Sequence, residues 1–218
     1  MHRRPIYTSL GLLITTVALI ACVELGVTTQ PLQTLPEACR TDCVTPYSQV
    51  LGTAPGNVTA YSNCNADCVI FSPNTEGGVY TGIKWQCVEF ARRWLLDNRG
   101  VVYGDVDIAS DIWTKIEFVS RVSDNHQIPL RAYENGSAEI PKVGDLLIYG
   151  KEYLNTGHVA VITDVDLPAG VIEVAEQNYL NETWPGDYAR QIDIINKDDR
   201  YWVLDAYVLG WKRVADEH

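Results

Sequence analysis

Gly82-Ile83-Lys84-Trp85-Gln86-Cys87-Val88-Glu89-Phe90-Ala91-Arg92-Arg93-Trp94-Leu95 places one cysteine at the start of an amphipathic segment. Val88, Ala91 and Leu95, joined by Phe90 and Trp94, recur at helical spacing and make a wide apolar face. Arg92, Arg93, Asp97 and Asn98 read as the outward side. The pattern predicts a helix over 85–98, and Asn98-Arg99-Gly100 supplies its stop. A thiol at a helix start lies near unpaired backbone N–H groups and the positive end of the dipole, and both favour the thiolate. Cys87 is therefore a candidate nucleophile, and the chain a candidate cysteine hydrolase.

The other cysteines bear on that reading. Arg3 and Arg4 precede an apolar run, Leu10 to Ala21, which is short for a membrane span and fits the core of a signal peptide. Leu19-Ile20-Ala21-Cys22 resembles a bacterial lipobox, in which Cys22 is lipidated. The expectation is an exported protein of the cell envelope, periplasmic or membrane-anchored, with a signal over 1–21 and a Pro- and Thr-containing tether over 22–46. In an oxidising compartment, Cys39, Cys43, Cys64 and Cys68 read as two disulfides with three possible connectivities. Zinc is the competing reading, weakened because no histidine stands near either pair. No metal and no cofactor is expected. Setting Cys22 and the pairs aside leaves Cys87 unpaired.

The 218 residues suffice for one domain with a sizeable core plus extensions, here placed at 47–214. A net charge of -11 and a pI near 4.7 argue against a nucleic-acid partner and tolerate a cationic substrate. Residues 62–80 read as a polar loop around the second cysteine pair, and a second helix is predicted over Ile108–Val119. After Pro141 the pattern turns to strands, at Asp145–Tyr149, His158–Val165, Val171–Asn178, Ala189–Ile195, Tyr201–Leu204 and Tyr207–Arg213. Helices first and a meander afterwards indicate an α+β fold, with N-terminal helices packed on an antiparallel sheet.

A cysteine nucleophile needs a base, for which histidine is the usual choice. His2 lies in the signal and His218 ends the chain, so His126 and His158 remain. His126 sits in a polar turn, Ser123-Asp124-Asn125-His126-Gln127, and reads as a solvated surface residue. His158 opens the apolar run Gly157-His158-Val159-Ala160-Val161-Ile162 and is favoured as the base. Period-two alternation sets Ile172, Val174, Glu176 and Asn178 on one face of the next strand. Antiparallel pairing through the turn at 167–170 returns the far end of that strand to His158. Glu176 or Asn178 can then accept the ring N–H and orient the base.

Trp85-Gln86-Cys87-Val88-Glu89-Phe90-Ala91-Arg92-Arg93, Thr156-Gly157-His158-Val159-Ala160-Val161-Ile162 and Ala175-Glu176-Gln177-Asn178 resemble the CHAP family of cysteine, histidine-dependent amidohydrolases and peptidases. Within it they are most similar to the amidase domains of glutathionylspermidine synthetase/amidases. The resemblance runs from about Leu51 to Trp211. It implies a papain-like site geometry, Cys87 as nucleophile, His158 as base and then acid, and Glu176 as its orienting group. It also implies Gln86 and the Cys87 backbone N–H as oxyanion donors, and Arg92 as a group holding a substrate carboxylate or a lid loop. Asn178 is the reserve orienting residue.

No ATP-driven synthesis is expected of this chain. The substrate classes the resemblance implies are a peptide–polyamine conjugate of the glutathionylspermidine type or peptidoglycan peptides, with membrane contact only through the possible lipid anchor. A non-catalytic envelope module that binds glycan or peptide is the alternative, and a redox role for the cysteine pairs is a further one, disfavoured because Cys-x-x-x-Cys lacks the redox spacing.

Overall fold

The computed structural model describes residues 35–216. The expected signal, Cys22 and the first part of the expected tether lie outside the described residues. From Leu35 onward the chain is held to the domain. A short 3-10 turn, Glu37–Cys39, begins it, and disulfides join Cys39 to Cys68 and Cys43 to Cys64. These nested bonds select one of the three connectivities and displace the zinc reading for those sulfurs.

Two hairpins follow, β1 (Val50–Ala54) with β2 (Val58–Tyr61), and β3 (Pro73–Glu76) with β4 (Val79–Ile83). The stretch 62–80, expected as a loop, therefore contains most of a hairpin. Next come α1 (Cys87–Arg99), β5 (Val101–Tyr103), α2 (Asp111–Lys115), β6 (Phe118–Arg121) and β7 (Gln127–Glu134). The remaining strands are β8 (Leu146–Tyr149), β9 (His158–Asp166), β10 (Val171–Ala175), β11 (Arg190–Lys197), β12 (Arg200–Val203) and β13 (Val208–Val214). Nine strands form one sheet in the order β12-β11-β10-β9-β8-β13-β7-β6-β5. Neighbours in it are antiparallel, and the last strand enters between β8 and β7.

The central strands are apolar on both faces because both are covered. Phe90, Ala91 and Leu95 of α1 pack with Leu146, Ile148, Val159, Val161 and Ala175 on one side. On the other, Leu147, Tyr149, Ala160, Ile162, Ile172, Val174, Ile192 and Trp211 form a second cluster drawn chiefly from strands. A strand buried on both faces loses the alternation that marks a half-exposed one. Here α1 is the one long helix among the described residues and lies against β4, β5 and β9. It starts at Cys87, after an extended Gln86, and ends on left-handed Gly100, whose N–H donates to the carbonyls of Leu95 and Leu96.

Two expectations need correction. Arg92 and Arg93 do not face outward; both are buried, each with acceptors supplied by other segments. The second helix spans only five residues, and Phe118–Arg121 is a strand. Apolar Ile116 and Val119 are buried, but a spacing of three fits a helix end leading into a strand as well as a continuing helix. The helix stops where Lys212 of β13 reaches its C-terminal end. The ammonium donates to the carbonyls of Ile112, Trp113 and Ile116. It thereby satisfies acceptors that a longer helix would have used itself.

Replacing Lys212 with Met keeps the length of the side chain and removes its donors. Buried carbonyls left without partners cost about 1–3 kcal/mol. The Lys212→Met protein is expected to unfold at lower urea with an unchanged denaturant slope, and a midpoint equal to wild type would refute the capping role.

Candidate functional site

The start of β9 and the N-terminus of α1 meet at the site. Gly157 adopts φ +70, and a Cβ there would stand 2.5 Å from the Tyr149 carbonyl oxygen and 2.9 Å from Ser110 Cβ. Only glycine brings the chain this close before it enters the strand at His158. His158 is 1 % exposed. Its Nε2 lies 2.8 Å from Glu176 Oε2, so Nε2–H donates there and leaves Nδ1 for Cys87, which lines the same cleft. Tyr149, Tyr153 and Tyr179 surround the ring with centroids 5.5, 5.9 and 5.0 Å away. The two candidate histidines separate cleanly: His126 is exposed in the turn before β7 and is not among the residues of the cleft.

Burial alone would push the Cys87 thiol up. The charge and hydrogen bond of His158, with backbone N–H groups of Val159 and Val88, outweigh it and bring the thiol below its ordinary value. Burial likewise disfavours a charged His158. The Cys87 thiolate, and then Glu176, reverse this and raise the ring to about 9. Burial disfavours the Glu176 carboxylate too, but His158 and Arg190 hold it below the usual carboxylate range. Both shifts favour a thiolate–imidazolium pair, the state suited to attack a carbonyl carbon.

Glu176 and Asn178 lie just past the end of β10. Glu176 meets the imidazole, as alternation predicts. Asn178 does not: its Nδ2 donates to Gln86 Oε1 at 2.8 Å. Its φ of +53 turns the chain out of the strand pattern, which is why the reserve orienting role fails. Gln86 in turn donates from Nε2 to Asn63 Oδ1 at 3.3 Å. Asn63 is fully buried beside Cys64, and its own Nδ2 donates to the Cys68 carbonyl at 2.7 Å. The amide of Gln86 is thus held between a loop fixed by the disulfides and the segment after β10.

Cys87, Gln86, His158 and Asn178 open onto a cleft of about 470 Å³. One wall comes from the disulfide-held loop, with Asp67, Val69 and Phe71. Asp105, Asp107 and Ile108 also line the cleft, and among the described residues no lysine or arginine does. Arg92 stands behind this surface, not on it. Its Nη1 is 3.2 Å from Asp105 Oδ1, and its guanidinium lies over Tyr80 and Tyr103. Its position suits holding the wall that bears Asp105 more than direct contact with a substrate carboxylate.

Several contributors escape the sequence reading. Glu89 is fully buried, bound by Arg93 Nε at 2.7 Å and by Asn74, Thr81 and Gln177. This cluster anchors the first turns of α1 to the residue beside Glu176. Arg190 donates from Nε to Glu176 Oε1 at 2.6 Å. The i,i+4 spacing of Glu89 and Arg93 was a legible signal, whereas nothing local marks Arg190. Among the described residues no group of three His, Cys, Asp or Glu is placed to hold a metal ion.

Residues 78–178 match the CHAP domain model. The chain is 36 % identical over 182 residues to the bifunctional glutathionylspermidine synthetase/amidase of Escherichia coli (strain K12), covering 76 % of this chain and 29 % of that protein. It is 35 % identical over 161 residues to the trypanothione synthetase of Crithidia fasciculata, covering 73 % of this chain and 24 % of that one. With the glutathionylspermidine synthase of the same organism it shares 30 % identity over 192 residues, covering 78 % and 26 %. The chain thus spans under a third of the length of these relatives. Cys87, His158 and Glu176 all fall inside the matched segment, and this chain carries a CHAP domain across it.

Proposed function

We propose that this protein is a cysteine amidase that cleaves C–N amide bonds through an acyl-enzyme. The observation that carries the reading is the buried Cys87–His158–Glu176 row opening onto an acidic cleft. The Cys87 thiolate attacks the amide carbonyl carbon and forms a C–S bond. The Cys87 backbone N–H and the Gln86 amide face the developing oxyanion. As the C–N bond breaks, the His158 proton passes to the leaving nitrogen and a neutral amine departs. His158, now neutral, removes a proton from water. The hydroxide attacks the thioester, the C–S bond breaks, and the carboxylic acid leaves with thiolate and imidazolium restored.

Asp67, Asp105 and Asp107 favour an amide whose amine half is cationic. A peptide–polyamine conjugate of the type named by the relatives meets this demand. Two disulfides are consistent with an extracellular setting, and there peptidoglycan peptides bearing a side-chain ammonium are the second class. Export, a lipid anchor at Cys22 and residence in the envelope belong to this proposal, supported by the N-terminal sequence.

The pKa directions give a pH test with a defined sign. A lowered thiol pKa extends the thiolate to lower pH than in a free cysteine, and the thiolate is lost as pH falls. A raised His158 pKa keeps the proton for the leaving amine until pH passes about 9. Turnover is expected to decline above that value while iodoacetamide alkylation of Cys87 does not. In His158→Ala the thiol keeps its burial and loses its counter-charge, so alkylation at pH 7 should slow by roughly tenfold to a hundredfold. Wild-type alkylation no faster than that of free cysteine would remove the enzyme reading and favour the binding module.

Mass spectrometry of products formed from glutathionylspermidine and from peptidoglycan stem peptides decides the substrate class. Wild type should release free amine and acid from one of them, and Cys87→Ala from neither. The Asp105→Asn, Asp107→Asn double variant should raise KM for a cationic amide by about twofold to tenfold at low salt with little change in kcat. A KM unchanged, or raised equally for a neutral amide, would remove the carboxylates from substrate recognition.

A further inference from the structure

Glu176 faces a problem that His158 alone does not solve. The carboxylate is 3 % exposed, and its partner changes charge during each turnover if the acyl-enzyme mechanism holds. While His158 is an imidazolium, Glu176 is compensated. Once the proton leaves with the amine, a buried carboxylate stands beside a neutral ring, and such a group tends to protonate. A protonated Glu176 would accept the Nε2–H only weakly and would no longer favour the return of the imidazolium.

The second oxygen of Glu176 meets a fixed cation. Arg190 Nε lies 2.6 Å from Glu176 Oε1. Its other two nitrogens have partners of their own: Nη1 with Asp205 Oδ2 at 2.6 Å, and Nη2 with the Tyr149 hydroxyl at 2.7 Å. Tyr149 OH donates onward to the same Asp205 oxygen at 2.8 Å, and the Tyr179 ring covers the guanidinium at 3.9 Å. Arg190, at the start of β11, thereby ties together β8, the segment after β10 and the loop before β13. Arginine stays charged at any working pH, so this compensation does not cycle.

Building on the amidase reading, we propose that Arg190 is a positioning residue: its permanent charge keeps Glu176 ionised and aimed at His158 in both protonation states of the imidazole. The titratable and charged groups facing this row are Cys87 from α1, Tyr103 from β5, Tyr149 from β8, Tyr153 from the loop after it, Tyr179, Arg190 and Asp205. The tyrosines are held above their ordinary range mainly by burial, so in neutral solution they do not titrate. Changes in the pH profile therefore report on the row itself.

The test compares wild type, Arg190→Gln and Arg190→Lys in the full disulfide-bonded chain, reading the pH dependence of iodoacetamide alkylation at Cys87. Gln retains donors without charge; Lys retains charge without the fork. In Arg190→Gln the rise of the alkylation rate is expected to move to higher pH by about one unit or more, slowing reaction at neutral pH about tenfold. Arg190→Lys should restore most of the wild-type profile. A Gln profile that matches wild type, or a Lys profile displaced as far as the Gln one, would overturn the proposal. A wild-type profile equal to that of free cysteine would sink the amidase reading together with it.

A second measurement needs no variant. In wild-type protein alkylated at Cys87 and labelled with ¹³C at glutamate side chains, the Glu176 carboxyl should keep its ionised chemical shift from about pH 5 to pH 9. Protonation of that carboxyl within this range would overturn the role given to Arg190.

Discussion

Five side chains, Cys87, His158, Glu176, Arg190 and Asp205, form a row in which acidic and basic groups alternate. Glu176, at their centre, is buried and held from both sides, and loss of either partner would leave its charge poorly compensated, which costs far more than an exposed pair ever gains. This constraint governs how the sheet is built around the site. Cys87 must begin α1 so that backbone N–H groups add to the field at sulfur. His158 must open β9, Glu176 must follow β10, Arg190 must begin β11, and Asp205 must precede β13. The antiparallel order that sets β9, β10 and β11 side by side brings the middle three into register.

Three successive residues show how little backbone the site needs. Glu176 reaches His158 and Arg190. Gln177 reaches Glu89 and Arg93 in α1 and accepts from the Tyr61 N–H of β2. Asn178 reaches Gln86. One short segment past the end of β10 therefore fixes the base, the root of the nucleophile helix and the amide beside the sulfur. A displacement of it would disturb all three at once, which gives the burial of Glu176 and Gln177 a functional reason.

Much of this was legible beforehand. The helix following Cys87, the choice of His158 over His126, and the return of Glu176 to the imidazole all follow from periodicity and one antiparallel turn. The residues that escaped are informative. Arg92 and Arg93 looked outward because a helical wheel carries no knowledge of Asp105, Glu89 or Gln177. Asn178 was placed by alternation on a strand that ends at Ala175. The strands β5, β6 and β7 went unseen; a helix drawn too long covered the start of β6, and its true end lies where Lys212, nearly a hundred residues away, meets it. Arg190 and Asp205 had no local mark at all; their importance is a property of register.

The order of cysteines along the chain has a consequence for biogenesis. Cys39, Cys43, Cys64 and Cys68 all precede Cys87, and their bonds join only one another. A polypeptide that emerges amino end first presents all the partners for correct oxidation before the reactive sulfur appears. The imidazole, carboxylate and guanidinium that activate that sulfur arrive later still. A nascent chain therefore exposes its thiol before the groups that would activate it have been made.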